Sequence, residues 1–337
     1  MTSQSESSPQ SRRHFLSLLA ASSVGLSSAG LSQVELSQEE LSRPNSALPS
    51  VRPAAEMSVH VFSKHLQFLD YEAMAQAAAK IGFDGVDLTV RPGGHVLPEN
   101  VATDLPRAVA AVKNAGLQAQ LMTTKVMDAQ DPMATAVLKT AREQGITHYR
   151  TDWLHYDREA TNLPQSLDGF QQKLKALAQL NEQTGMIGGY QNHAGDHYVG
   201  APVWDIAMLL NEVDSEHLGS QYDIRHATVE GGLAWPLGLN LIHPHINVIV
   251  IKDFRWEQVD GAWRVVNVPL GEGMVDFPRY FKLLREYDIR CPISVHFEYE
   301  MPEQQEGLSE AERLDQTVAV MQKDLDTLKG YLSEAGL

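Results

Sequence analysis

Four polar clusters each close a short apolar run in the second half of the chain: Gln191-Asn192-His193, Asp223 with His226, Lys252-Asp253 and His296-Phe297-Glu298. They offer imidazoles, carboxylates, an amide and an amine. Such groups run acid–base chemistry when burial and neighbouring charge bring their pKa values toward neutrality. His and carboxylate donors together also suit a divalent metal such as Mn, Zn or Co, which polarises bound oxygens and acidifies an adjacent C–H. His193, Asp223, His296 and Glu298 form the expected metal set. Asp223, Glu298, His226 and Lys252 form the expected catalytic set, with His226 or Lys252 moving a proton. A metal-free alternative places the acid–base work on Lys252 with Asp253 and Glu298. Each residue also has a plainer use: His193 as a helix cap, His226 as a hydrogen-bonding partner of Asp223, and Lys252 as a counter-ion for Asp223 or Glu298.

The clusters recur at intervals of roughly 30 to 45 residues, the length of a strand-plus-helix unit or of one carrying an insertion. Strands are expected at Ser58–Phe62, Gly85–Val90, Leu117–Thr123, His148–Asp152, Ile187–Gln191, Gly219–Asp223, Val248–Lys252 and Ile293–Glu298. Helical spacing of apolar residues falls between them: Tyr71–Ile81, 105–114, 133–144, 166–184, 203–211, 237–242, 278–287 and 309–332. Strict alternation implies a parallel sheet covered by helices, and eight units favour a closed (β/α)8 TIM barrel over an open sheet. In such a barrel the carboxyl ends of all strands meet on one face, so the clusters are expected to form one site. Phe254–Val275 is an insertion whose Asp260-Gly261 pair predicts a β-hairpin, a candidate lid or side wall.

The front half adds Arg91 and His95 on the loop after the second strand, and Arg150 at the end of the fourth. With Gln191 and Asp253 these are the expected substrate-binding residues. Trp153, Trp235 and Trp256 offer faces for stacking. No Gly-rich dinucleotide fingerprint follows the first strand, so no nucleotide cofactor is expected.

A formal charge of −16 and the absence of a Lys/Arg run argue against nucleic acid as a partner. The single cysteine, Cys291, rules out an internal disulfide. Ser11-Arg12-Arg13-His14-Phe15-Leu16, followed by an Ala/Ser/Gly-rich apolar run, resembles a twin-arginine export signal. That run is too short and Ser-rich for a stable membrane span. The expected organisation is a signal peptide over 1–30, a flexible linker over 31–56 and a single barrel domain over 57–337, with a periplasmic location.

Taken in order, Gly82-Phe-Asp-Gly-Val-Asp87, Gln191-Asn-His193, Tyr222-Asp-Ile-Arg-His226, Ile251-Lys-Asp253, Gly271-Glu-Gly273 with Asp276, and Ser294-Val-His-Phe-Glu298 resemble the xylose-isomerase-like barrel superfamily. The superfamily holds sugar phosphate isomerase/epimerase-type proteins and apurinic endonucleases of similar fold. The similarity covers about residues 57 to 333. In metal-dependent members the resemblance implies four ligands: Glu on strand five, Asp on strand six, His on strand seven and Glu on strand eight. Asp223 matches, and His226 matches a substrate-side histidine. Gln191 stands where the Glu is expected and Val250 where the strand-seven His is expected, while His296 or Glu298 serves strand eight. The endonuclease branch requires a trinuclear zinc cluster and a basic groove, which this acidic chain does not match. The resemblance therefore implies a sugar isomerase or epimerase that abstracts a proton next to a carbonyl with metal assistance, and, as is common in the group, a homodimer. The alternatives are a β-eliminating lyase on oxidised (keto) glycosides and a non-catalytic sugar-binding barrel.

Overall fold

The computed structural model describes residues 57–159 and 162–337. The expected signal peptide and linker, over 1–56, lie outside the described residues. The strands are β1 (Val59–Phe62), β2 (Gly85–Thr89), β3 (Gln118–Thr123), β4 (His148–Arg150), β5 (Ile187–Gln191), β6 (Leu218–Asp223), β7 (Ile246–Ile251), β8 (Asp253–Val259), β9 (Ala262–Val268) and β10 (Ile293–Val295). β1 to β7 and β10 close into a parallel eight-stranded barrel, in which β10 sits between β7 and β1. β8 and β9 form a separate antiparallel hairpin.

The helices are α1 (Tyr71–Ile81), α2 (Val101–Asn114), α3 (Pro132–Glu143), α4 (Leu163–Thr184), α5 (Trp204–Val213), α6 (Ile224–Gly231), α7 (Trp235–Ile242), α8 (Phe277–Glu286) and α9 (Glu310–Ala335). Their ends follow local chemistry. Asp70 caps α1 by accepting from the Ala73 N–H, and Gly82 at φ 100° closes it in the left-handed conformation that glycine adopts freely. Ser309 and Glu312 form a capping box at the start of α9. β7 (INVIVI) is buried at every position, as a strand covered by helices on one side and filled barrel on the other must be.

The eight-unit barrel therefore stands, with three local departures. α6 follows β6 directly, because the Asp223 carboxylate caps it through the His226 N–H. β10 stops at Val295, and His296–Glu298 continue as extended chain: His296 N donates to Ile251 O, whereas Phe297 N donates to His65 Nε2, so a side chain replaces the next ladder partner. β4 likewise ends at Arg150. Each departure falls at the carboxyl end of a strand, the edge that carries the polar clusters.

The expected hairpin is present. Val259 pairs with Ala262 across Asp260 (φ 53°) and Gly261 (φ 77°), the two positive φ angles of a tight turn matched to strand twist. Below the site, Asp87 is enclosed in the barrel and accepts from Thr123 and Ser294. Burial pushes its carboxyl up to about 6.

Candidate active site

The polar clusters meet at the carboxyl ends of β5, β6, β7 and β10, and a lysine lies at their centre. Lys252 leaves the end of β7 and places Nζ 2.8 Å from His226 Nε2, 3.1 Å from Glu298 Oε2 and 3.2 Å from Asp223 Oδ2. Three contacts match the three donors of an ammonium. The Lys252 side chain is only 3% exposed and that of Asp223 is fully enclosed, whereas 26% of the Glu298 side chain remains open.

Asp223 has no free face. Oδ2 accepts from Gln191 Nε2 at 2.8 Å as well as from Lys252, and Oδ1 accepts from the His226 N–H. The Asn192 side chain clamps the backbone on both sides of this residue, donating to Asp223 O and accepting from Asp223 N. Asp223 thus positions Lys252 and His226. Gln191 hands the chain on, its Oε1 accepting from Arg150 Nη1 at 3.3 Å. Glu298 is the carboxylate that a ligand at the barrel mouth reaches.

The histidines are held neutral. Burial, the Lys252 ammonium, His193 and the Arg225 guanidinium, which lies 3.0 Å from Nδ1, keep His226 well below the ordinary imidazole range. Burial and then Lys252 lower His193 to about 4. Burial brings His296 to about 4 as well. Glu298 is pushed upward by burial, but the Lys252 ammonium outweighs that and holds it below the usual carboxylate range. His296 stacks on Phe62 at 4.3 Å between ring centroids, and neither ring nitrogen has a hydrogen-bond partner. Its Nδ1 is 3.7 Å from Glu298 Oε1, too far for a hydrogen bond. A buried imidazole with both nitrogens open beside the accessible carboxylate is a binding group in want of a ligand.

The expected metal set is not brought together. Among the described residues no group of three or more His, Cys, Asp and Glu side chains is arranged to hold a metal. Asp223 and Glu298 do converge, but on Lys252, while His193 packs against His226 (4.0 Å between centroids) and Tyr198, and His296 lies on Phe62. Gln191 is a weaker, neutral donor already engaged, and Val250, beside Asp223 in register, has no donor at all. The residues present do not fit a divalent cation.

The outer expectations divide. Asp253 does not face the site: its carboxylate accepts from the backbone N–H groups of Phe254, Gly271, Gly273 and Val275, so it ties the 269–275 loop to the base of the hairpin. A Cβ on Gly273 would lie 2.2 Å from Asp253 Oδ1, which is why glycine stands there. His95 turns toward Ser63 and Thr89 and pins the loop after β2. Arg150 is buried between Gln191 and the Trp153 ring, 4.2 Å from its centroid. Arg91 is half-buried over the other side of the site, 5.6 Å from the Phe62 ring on which His296 stacks. Of the tryptophans, Trp153 lines the mouth beside His193, Trp235 is buried against Tyr280, and Trp256 is exposed on β8.

Sequence reasoning did not single out Arg225, Asn267 or His65. Arg225 Nη2 donates to Asn267 Oδ1, and Asn267 Nδ2 donates to Glu298 O at 3.2 Å, so the hairpin is bound to the site through β9. His65 holds the Phe297 peptide and thereby the path of the chain between His296 and Glu298. Arg225 lies inside the Tyr222–His226 cluster and could have been found there; Asn267 and His65 carry no local signal.

No curated protein matches the sequence. Among solved structures, the D-psicose 3-epimerase of Clostridium cellulolyticum H10 with D-tagatose aligns with a TM-score of 0.62 at 12% identity, covering 82% of this chain and 99% of that one. The 3-keto-D-glucoside 4-epimerase of E. coli gives 0.60 at 15%, covering 82% and 100%. The D-allulose 3-epimerase of Methylomonas sp. gives 0.59 at 15%, covering 83% and 98%. At these identities the likeness is one of fold. The family model described as xylose isomerase-like TIM barrel matches residues 75–323, and the chain belongs to that family.

Proposed function

We propose that the protein is a sugar-active enzyme that removes a proton from a carbon next to a carbonyl, as isomerisation and epimerisation of a keto sugar require. The observation that carries this reading is the placement of one ammonium between an enclosed carboxylate, Asp223, and an accessible one, Glu298. In this reading Glu298 accepts the proton, the C–H electron pair forms a C=C bond to the carbonyl carbon, and the C=O π pair moves to the carbonyl oxygen. Lys252 and the open nitrogens of His296 face that oxygen. In the free protein Lys252 holds Glu298 below its usual basicity; a substrate oxygen that draws Nζ away strengthens the base as it polarises the carbonyl. Delivery of a proton to the opposite face by an acid other than Glu298 gives an epimer, and return of the Glu298 proton to the neighbouring carbon gives an isomer. Loss of a β-oxygen from the same intermediate would give elimination.

Three structures of similar fold bear the names of epimerases of keto sugars or a keto glucoside, which supports this substrate class. The test is incubation with ketohexoses and 3-keto glucosides, with products read by NMR. A new epimer, isomer or eliminated product supports the proposal. Calorimetric binding with every sugar recovered unchanged would support a sugar-binding barrel without catalysis instead. The Ser11–Leu16 segment supports export of this enzyme by the twin-arginine route to the periplasm. Retention of an Arg12→Lys/Arg13→Lys double variant in the cytoplasm, with wild type in the periplasm, is the fractionation result expected.

A further inference from the structure

We infer that the Lys252 ammonium stands in for a divalent cation, making the site one that works with a built-in charge and takes up no metal. The inference rests on the reading of this site as the place where a sugar oxygen is polarised, and it deepens that reading by naming the electrophile.

Asp223 and His226 from the end of β6 and Glu298 from the chain after β10 are two carboxylates and an imidazole, a donor set that commonly closes on Mn, Zn or Co. Here they close on nitrogen. A metal would sit about 2.0–2.2 Å from the same oxygens. Lys252 Nζ lies 3.1 and 3.2 Å from one oxygen of each carboxylate and 2.8 Å from the imidazole nitrogen, hydrogen-bonding distances that fill the space between them. A second, doubly charged cation would have to displace an ammonium whose side chain is 3% exposed.

The surrounding substitutions balance the charge. A cluster of three carboxylates around a divalent cation carries a net charge of about −1, and so does a pair of carboxylates around one ammonium. Gln191, whose amide donates to Asp223, is neutral at the position beside Gln221 on β6 where a third carboxylate would face the cluster. Val250 pairs with Asp223 and offers no donor. With Glu at 191, Asp223 Oδ2 would face a second carboxylate in place of an N–H, and a single ammonium would be outnumbered three to one. The two apparent defects of a metal site are thus the two changes that a lysine-centred site needs. Asp223 completes the design as a positioning residue, since it is saturated by Gln191, Lys252 and the His226 N–H and fixes Nζ toward the open Glu298.

The test is a titration of the full-length protein with Co²⁺ and with Mn²⁺, read by calorimetry, by metal content after dialysis and by the visible Co²⁺ absorption band. The wild type is expected to retain less than about a tenth of an equivalent of either ion and to show no shift in melting temperature. The triple variant Gln191→Glu/Val250→His/Lys252→Ala is expected to take up one Co²⁺ and melt higher with it than without. Uptake of one equivalent by the wild type, lost in Asp223→Asn, overturns the inference, whether or not the triple variant folds. None of these readouts needs a sugar, so they stand even if no turnover is found. With a turned-over sugar in hand, a rate unchanged by EDTA is expected, and a rate abolished by EDTA and restored by Mn²⁺ would refute the inference without touching the proton-abstraction proposal.

Discussion

Replacing Lys252 with Met keeps the length of the side chain and removes its charge, leaving Asp223 and Glu298 facing each other without the ammonium between them. Deleting one partner of a buried ion pair costs about 3–5 kcal/mol, because the remaining charge stays in a poor solvent for it. Asp223 is fully enclosed and bears this cost undiminished, whereas Glu298, with 26% of its side chain open, is partly relieved by water. The expected loss at pH 7 is therefore about 3–5 kcal/mol, set mainly by Asp223. Without the ammonium, burial is left to push the Glu298 carboxyl above its unfolded value. A raised group contributes stability that is complete below the unfolded pKa and lost as pH rises through the folded one, so the deficit of the variant should shrink as pH falls from 7 toward 5. Urea unfolding at the two pH values measures both. A midpoint lower by roughly 1–2 M at pH 7, at a slope of about 3 kcal/mol/M, and a smaller gap at pH 5 is the expected result. A loss under about 1 kcal/mol at pH 7, or an equal loss at both pH values, would refute the reasoning.

Asp253→Ala should cost at least about 3 kcal/mol, since four backbone N–H groups lose a charged acceptor; equilibrium unfolding checks this, and a loss below about 1 kcal/mol would return Asp253 to the substrate side. His193 and His296, lowered to about 4, bind protons in the unfolded chain before they do so in the fold. Their contribution is present above about 6.5 and is lost as pH falls toward 4. Asp87, raised to about 6, works in the opposite sense, its penalty growing as pH rises from about 4 to about 6 and staying constant above that. His60, lowered to about 3, and His226 and His65, held well below the ordinary range, add to the histidine side, so melting temperature should fall between pH 6.5 and 4.5. Asn267→Ala should loosen the hairpin without unfolding the barrel, visible as faster amide exchange in β8 and β9 with little change in the barrel strands.

The barrel was legible because its signal is repeated. Each strand is a short buried run, each helix has its own apolar stripe, and the alternation leaves little choice of topology. The convergence of Asp223, His226, Lys252 and Glu298 was also legible, since polar residues at the ends of buried strands have nowhere else to face. The partners within the cluster were not. Alternation along a strand places Glu298 on the face of His296, and the two side chains do lie 3.7 Å apart, but β10 ends at Val295 and the chain between them is held by the His65 hydrogen bond, which no strand pattern announces. Asp253 looked like Lys252's companion in the site; its role depends on a loop folded back from residues 271–275, a contact that no local pattern announces. Lys252 as the hub, with a carboxylate on two sides, required distances.

The central claim is that a proton leaves a carbon next to a carbonyl and is taken by Glu298. Solvent exchange tests it most directly: incubation of a turned-over keto sugar in D2O with wild type and with Glu298→Gln, with deuterium located by NMR and mass spectrometry. One deuterium at the carbon beside the carbonyl with the wild type, and a rate lower by about 10²–10⁴ in the variant, is the result the account predicts. Product formed by the wild type without solvent deuterium, or exchange at an undiminished rate in Glu298→Gln, would contradict it.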